Sequence, residues 1–136
     1  MKQGALQSQT TRTETAKPAW PARPYTWRAL TDAERSALEQ RGNTAENWAR
    51  VVVADPFDPA FVQRCHFAGD VRIGPLTAGT LGYAGMDRPV GLYDSTLLQC
   101  DLGANVSIAH VRHLARYAVG DGVLLFDIGS LVAQPG

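Results

Sequence analysis

Three histidines, His66, His110 and His113, are the side chains best suited to move a proton near neutral pH. A histidine at a coil corner can act as general base on a substrate hydroxyl or amine, and His110 and His113 are the catalytic candidates on that ground. Arg112 and Arg116 stand beside them, with Arg72 further back, and such guanidinium groups can clamp a phosphate. Asp87 and Arg88 belong to the glycine-rich stretch "LTAGTLGYAGMDRPVGLYDS", where Tyr93 and Asp94 add further polar groups. Arg112, Arg116, Asp87 and Arg88 are therefore the candidates for substrate binding. Each has a plainer reading: solvated turn histidines, exposed arginines and a hairpin-like excursion.

Other chemistry is poorly served. The glycines of "GTLGYAG" lack the Gly-Lys-Ser/Thr of a phosphate loop. No Ser/His/Asp arrangement and no paired carboxylates stand out. Only Val111 and Arg112 separate His110 from His113, closer than the zinc histidines of hexapeptide carbonic anhydrases, so no metal site is expected.

The elements that must position these residues begin near Tyr25. In "LTDAERSALEQRG", Thr31 and Glu34 form a capping box, Asp32 and Glu34 suit the positive end of the helix dipole, and Gly42 provides a left-handed stop. The pattern predicts a helix over about 32–41. A second short helix carrying Trp48, capped by Asn43 or Thr44, is expected next, then a strand at 51–53. Pro56 and Pro59 then force a turn. Trp27, Trp48 and Phe57 are expected to form a hydrophobic cap. Residues 1–24, rich in Gln, Thr, Ala and Pro, read as a flexible tail. The expected organisation is that tail, a helical cap and lead-in strand over 25–60, and a β region over 61–136.

From Phe67 onward aliphatics recur every six residues: Leu102, Ile108 and Leu114, then Val119, Leu125 and Leu131 after a one-residue slip. Small residues often follow them, at Gly103, Ala109, Ala115 and Gly120. Read as one flat strand and one tight corner per hexad, this predicts a mainly β fold. The expectation is a short left-handed parallel β-helix of about two to three coils with an N-terminal α-helical cap. Inward aliphatics would stack on their equivalents one coil later.

Basic and acidic residues balance at 13 each, so no nucleic-acid or anionic-membrane partner is indicated. No apolar run is long enough to span a bilayer, and residues 1–24 contain no signal-type apolar core. A cytoplasmic, reducing setting is the expectation, with Cys65 and Cys100 as buried small hydrophobes.

The segments "YTWRALTDAERSALEQRGNTAENW", "FDPAFVQRCHFAGDVRIG", "GLYDSTLLQCDLGANVSIAHV" and "YAVGDGVLLFDIG", in that order, resemble the N-terminal part of an uncharacterised bacterial family. Its members are long hexapeptide-repeat chains known only as a domain of unknown function. The resemblance covers roughly residues 25–131. It implies a fold related to transferases that use acyl-CoA or a sugar nucleotide, and it carries no catalytic residue with it. Two functions are then open. One is a fragment or split part of a transferase-like protein, acyl- or nucleotidyl-transferring if it is an enzyme. The other is a non-catalytic scaffold or oligomerisation module, forming a homo-oligomer or stacking on a partner at an open C-terminal coil.

Overall fold

The computed structural model describes residues 20–133 apart from 78 and 84. The stretch assigned to a tail thus lies outside the described residues up to 19. Residues 20–24 run against the sheet.

Local sequence explains the single α-helix, α1 (Asp32–Gln40). The Thr31 side chain accepts from the Glu34 amide, and the Glu34 carboxylate accepts from the Thr31 amide at 2.9 Å. At the far end Gly42 (φ +85°) donates to the Glu39 carbonyl and Asn43 to the Leu38 carbonyl, closing a Schellman motif. The second helix expected around Trp48 is corrected. Thr44–Ala45 is a short strand, and Trp48–Arg50 is a single 3-10 turn capped by Asn47. The buried Asn43 does not begin that turn: its amide donates to the Leu38 carbonyl at the end of α1 and to the Val62 carbonyl, while its oxygen accepts from the Cys65 amide.

The strands in chain order are β1 (Trp27–Ala29), β2 (Thr44–Ala45), β3 (Val51–Ala54), β4 (Val62–Gln63), β5 (His66–Ile73), β6 (Thr80–Tyr83), β7 (Met86–Pro89), β8 (Gly91–Tyr93), β9 (Thr96–Leu102), β10 (Ser107–Ala115), β11 (Ala118–Val119) and β12 (Leu124–Val132). Ten join one sheet whose main path runs β1-β3-β5-β9-β10-β8-β4, with β2, β11 and β12 on its flanks. The β1–β3 pairing is antiparallel, and β6 and β7 form a separate antiparallel hairpin. The excursion between Ile73 and Thr96 is therefore a hairpin, as its plainer reading has it.

This architecture corrects the short left-handed parallel β-helix. The chain folds as a mixed sheet curled into a half-barrel, with twelve strands and one helix among the described residues. The six-residue period predicts a flat strand that ends at each corner. Instead the longer strands continue through their bends and reach seven to nine residues. Alternation along a strand puts residues two apart on one face, yet Ile108 and Val111 both face inward. His110 between them has φ 55°, and that left-handed residue turns the strand so both can be buried. Gln99 does the same for Leu97 and Cys100, and Asp127 for Leu125 and Ile128.

The stacking register itself is present. Leu102 pairs with Val119, Ile108 with Leu125 and Leu114 with Leu131. Phe67, Leu97 and Leu114 likewise sit on successive strands. These side chains, with Val53, Val71, Ile73 and Leu92, make one core, and Cys65 and Cys100 are buried within it as free thiols. Trp48 and Phe57 pack on its edge, but Trp27 goes elsewhere, to a face described next.

Asp101 in β9 is wholly buried. Arg23 reaches one carboxylate oxygen at 2.9 Å and Arg72 the other at 3.0 Å. The Arg72 guanidinium lies 4.7 Å from the Trp20 ring centre and 4.8 Å from that of Trp27. Arg23 also donates to the Val119 carbonyl, and Tyr25 donates to Asp121 at 2.8 Å. Gly103 has a different task. A Cβ there would come within 2.7 Å of the Asp121 amide nitrogen and 2.8 Å of the Gly120 carbonyl carbon, so close approach of neighbouring rungs requires glycine.

Two substitutions check these contacts in urea unfolding. Arg23→Ala is expected to cost about 2–3 kcal/mol, since it removes one of two cations facing a carboxylate that water cannot reach. Gly103→Ala should cost a similar ~2–3 kcal/mol through overpacking against backbone that has little room to move. Loss of under ~0.5 kcal/mol in either variant would contradict the corresponding contact.

Candidate functional site

The bends that curl the sheet fall on adjacent strands, so their side chains come together. Arg64 (φ 53°) follows β4, Asp94 (φ 50°) follows β8, and His110 lies in β10. The Asp94 carboxylate accepts from Arg64 Nε and, at 2.9 Å, from Nη2. His110 Nε2 is 4.0 Å from the same carboxylate. Hydrogen bonds from Arg64, and then the nearby charge of Arg64 and His110, hold the Asp94 carboxyl below the usual range despite partial burial.

A second row of polar side chains runs beside these bends. Thr44 pairs with His66 across β2 and β5, and Thr44 Oγ1 shares a 2.7 Å hydrogen bond with His66 Nδ1. His66 in turn pairs with Thr96. Because Leu97 pairs with Leu114, the residues just before them, Thr96 and His113, are also side by side, and His113 pairs with Ser130. An open groove of about 390 Å³ lies at this place, lined by Thr44, Arg64, His66, Asp94, Thr96 and Arg112 among others.

The expected site residues therefore divide. His110, Arg112 and His113 all lie on β10, but of these Arg112 lines the groove, where His66 from β5 also lies, and the two β10 histidines are not part of its lining. Arg88 in β7 is drawn toward the same bend from the other side. Its guanidinium is 4.1 Å from the Phe126 ring centre, and that ring meets His110 edge-on at 5.7 Å. Arg116 is at a separate bend (φ 63°) and is exposed, Asp87 is exposed on the hairpin, and Arg72 is committed to Asp101. Sequence reasoning names Asp94 as a polar group but passes over its partner Arg64, and it passes over Thr44 and Thr96 as site residues. A signal existed for them: the 30-residue separation that aligns Phe67 with Leu97 also aligns Arg64 with Asp94.

The groove is equipped to bind more than to react. Burial pushes the Cys65 thiol up to about 12, which keeps it protonated and poorly nucleophilic. The Ser95 hydroxyl donates to the Tyr93 carbonyl and accepts from the Val111 amide, so its hydrogen-bonding capacity is engaged. His66 is oriented by a threonine and not by a carboxylate. Among the described residues no group of three or more His, Cys, Asp or Glu is arranged to hold a metal ion. None of the described helices is long and apolar enough to cross a membrane.

Residues 27–135 match the family described as Domain of unknown function (DUF4954). The chain belongs to that family. A relative from Treponema pallidum (strain Nichols), named only "Uncharacterized protein", is 40% identical over 108 residues. The shared region is 79% of this chain and 15% of the relative, so the chain spans a small part of that protein's length. No solved structure matches the chain. The expectation of a family of unknown function is met at that level. A hexapeptide-repeat character is not part of what these matches show.

The geometry around Asp94 has a direct check. In Arg64→Ala, carboxyl NMR should find Asp94 titrating higher than in the parent chain, toward the ordinary aspartate range near about 4. Sign matters for stability. A carboxyl held low in the folded state contributes above its unfolded value and loses that contribution as pH falls through its folded value. The parent chain should therefore lose more stability on acidification than Arg64→Ala does. An unmoved Asp94 titration would show that the pair does not persist in solution.

Proposed function

We propose that this DUF4954 domain is a non-catalytic scaffold whose sheet edge accepts further β structure. One observation carries the reading. Strand β12 pairs with β10, and among the described residues no strand lies on its other side. Its aliphatics Leu125, Ile128 and Leu131 are only partly covered, whereas Ile108, Val111 and Leu114, their partners in β10, are fully buried. Val132 is 44% exposed. A half-covered aliphatic row beside unpaired backbone is the surface an added strand covers.

Two further facts support this reading. The Treponema relative shows that the homologous region occurs within a much longer protein. The hydroxyl–imidazole pair of the groove, Thr44 with His66, has no carboxylate behind the imidazole among the described residues, so the arrangement gives no specific reason to prefer group transfer. The transferase reading, with acyl-CoA or a sugar nucleotide, rested on a fold the structure replaces and falls with it. For the 136-residue chain alone, the strand at hand is β12 of a second copy, paired about a twofold axis.

Sedimentation over a concentration series tests this. The chain is expected to self-associate, and Val132→Lys should weaken association at least about tenfold while leaving the thermal midpoint in place. A chain that stays monomeric at high micromolar concentration would sink the reading, as would a lysine variant that associates like its parent.

A further inference from the structure

We propose that the groove between His66 and Arg112 is a binding site for a phosphate group. The argument begins with where positive charge is already spent. Arg23 and Arg72 serve Asp101, Arg28 serves Glu34 and Asp55, Arg50 serves Asp70, and Arg64 serves Asp94. Arg112 has no carboxylate or hydrogen-bond partner among the described residues, yet it lines the groove. It lies in β10 between the buried Val111 and Leu114, so the core is filled by its neighbours and leaves the guanidinium without a packing task.

The other groups around it are donors. His66 uses Nδ1 on Thr44, and in the tautomer where Nδ1 accepts from the Thr44 hydroxyl, Nε2–H is left to donate to a ligand. The Thr96 hydroxyl stands beside His66 on the next strand. Among the described residues the carboxylate lining the groove is Asp94, and it is engaged by Arg64 Nε and Nη2, so it does not repel an incoming anion with its full charge. Donors thus come from three adjacent strands: His66 from β5, Thr96 from β9 and Arg112 from β10. A flat carboxylate offers two oxygens in one plane. A tetrahedral phosphate offers oxygens in several directions and carries up to two charges, which suits donors spread over three strands. A volume of about 390 Å³ also leaves room for whatever carries the phosphate.

The shared chemistry is the phosphate group, whether free or borne on a small organic ester. Titration of the full chain with inorganic phosphate and, separately, with glycerol phosphate distinguishes the two, read by NMR shifts of His66, Thr96 and Arg112. Saturable shifts are expected in at least one titration. Tighter binding of the ester identifies an esterified ligand, and equal or weaker binding identifies free phosphate. Arg112→Ala should weaken binding at least about tenfold and His66→Gln several-fold, with unchanged thermal unfolding as proof of folding. Arg116→Ala, on its separate bend, should bind as the parent does. The inference is overturned if neither titration saturates, if Arg112→Ala binds like the parent, or if Arg116→Ala loses as much affinity as Arg112→Ala. The same titrations in the Val132→Lys background keep the outcome independent of strand association.

Discussion

A carboxylate shut away from water must be answered by positive charge, and Asp101 is such a carboxylate. Each of its oxygens has its own guanidinium, one from β5 and one from a segment 78 residues earlier in the chain. Arg72 is held in place by two tryptophan rings, and the arginine of the early segment reaches on to the Val119 carbonyl beside β11. The segment from Trp20 to Tyr25 is therefore a structural member of the sheet's face, although it contributes no strand. Removing it would leave the buried charge half-answered and would uncover the rungs that Gly103 allows to approach.

What the sequence made legible was mostly local. The Thr31/Glu34 box and Gly42 specify α1 within a dozen residues, and the structure places both where expected. The aliphatic recurrence also gave true neighbours, such as Leu102 and Val119. The error lay in how that recurrence was converted into shape. Left-handed residues with side chains, namely Gln99, His110 and Asp127, let strands bend and continue, and their identities announce that conformation far more weakly than a glycine would. The antiparallel β1 and the Arg23–Asp101 pair are non-local, so no window of sequence could display them.

The candidate site was half visible for the same reason. His110, Arg112 and His113 are close in sequence, so they could be grouped by inspection. Thr44, His66, Thr96 and Asp94 join them only through pairings between strands about 16 to 30 residues apart in the chain. Arg116 is near in sequence but stands at another left-handed residue and does not line the groove. Sequence distance thus groups Arg116 with residues it stands apart from, names His66 and Asp94 without showing their neighbours, and passes over Thr44 and Thr96 as site residues. Arg23, Arg28, Arg50, Arg64 and Arg72 are tied to carboxylates, whereas Arg112, which has no such tie among the described residues, lies in the groove.

The contacts of Arg23 and Tyr25 also bear on the order in which the chain takes shape. They join residues 78 and 96 positions apart, and their partners Asp101, Val119 and Asp121 all come late in the chain. A ribosome releases Trp20 to Tyr25 long before the surface they lie on exists. That early segment must wait, unplaced, until β9 and β11 have been made and stacked. Contacts of such separation are slow to form, so docking of this segment is the natural closing event of folding. The first part of the described chain to be synthesised is the last to find its place.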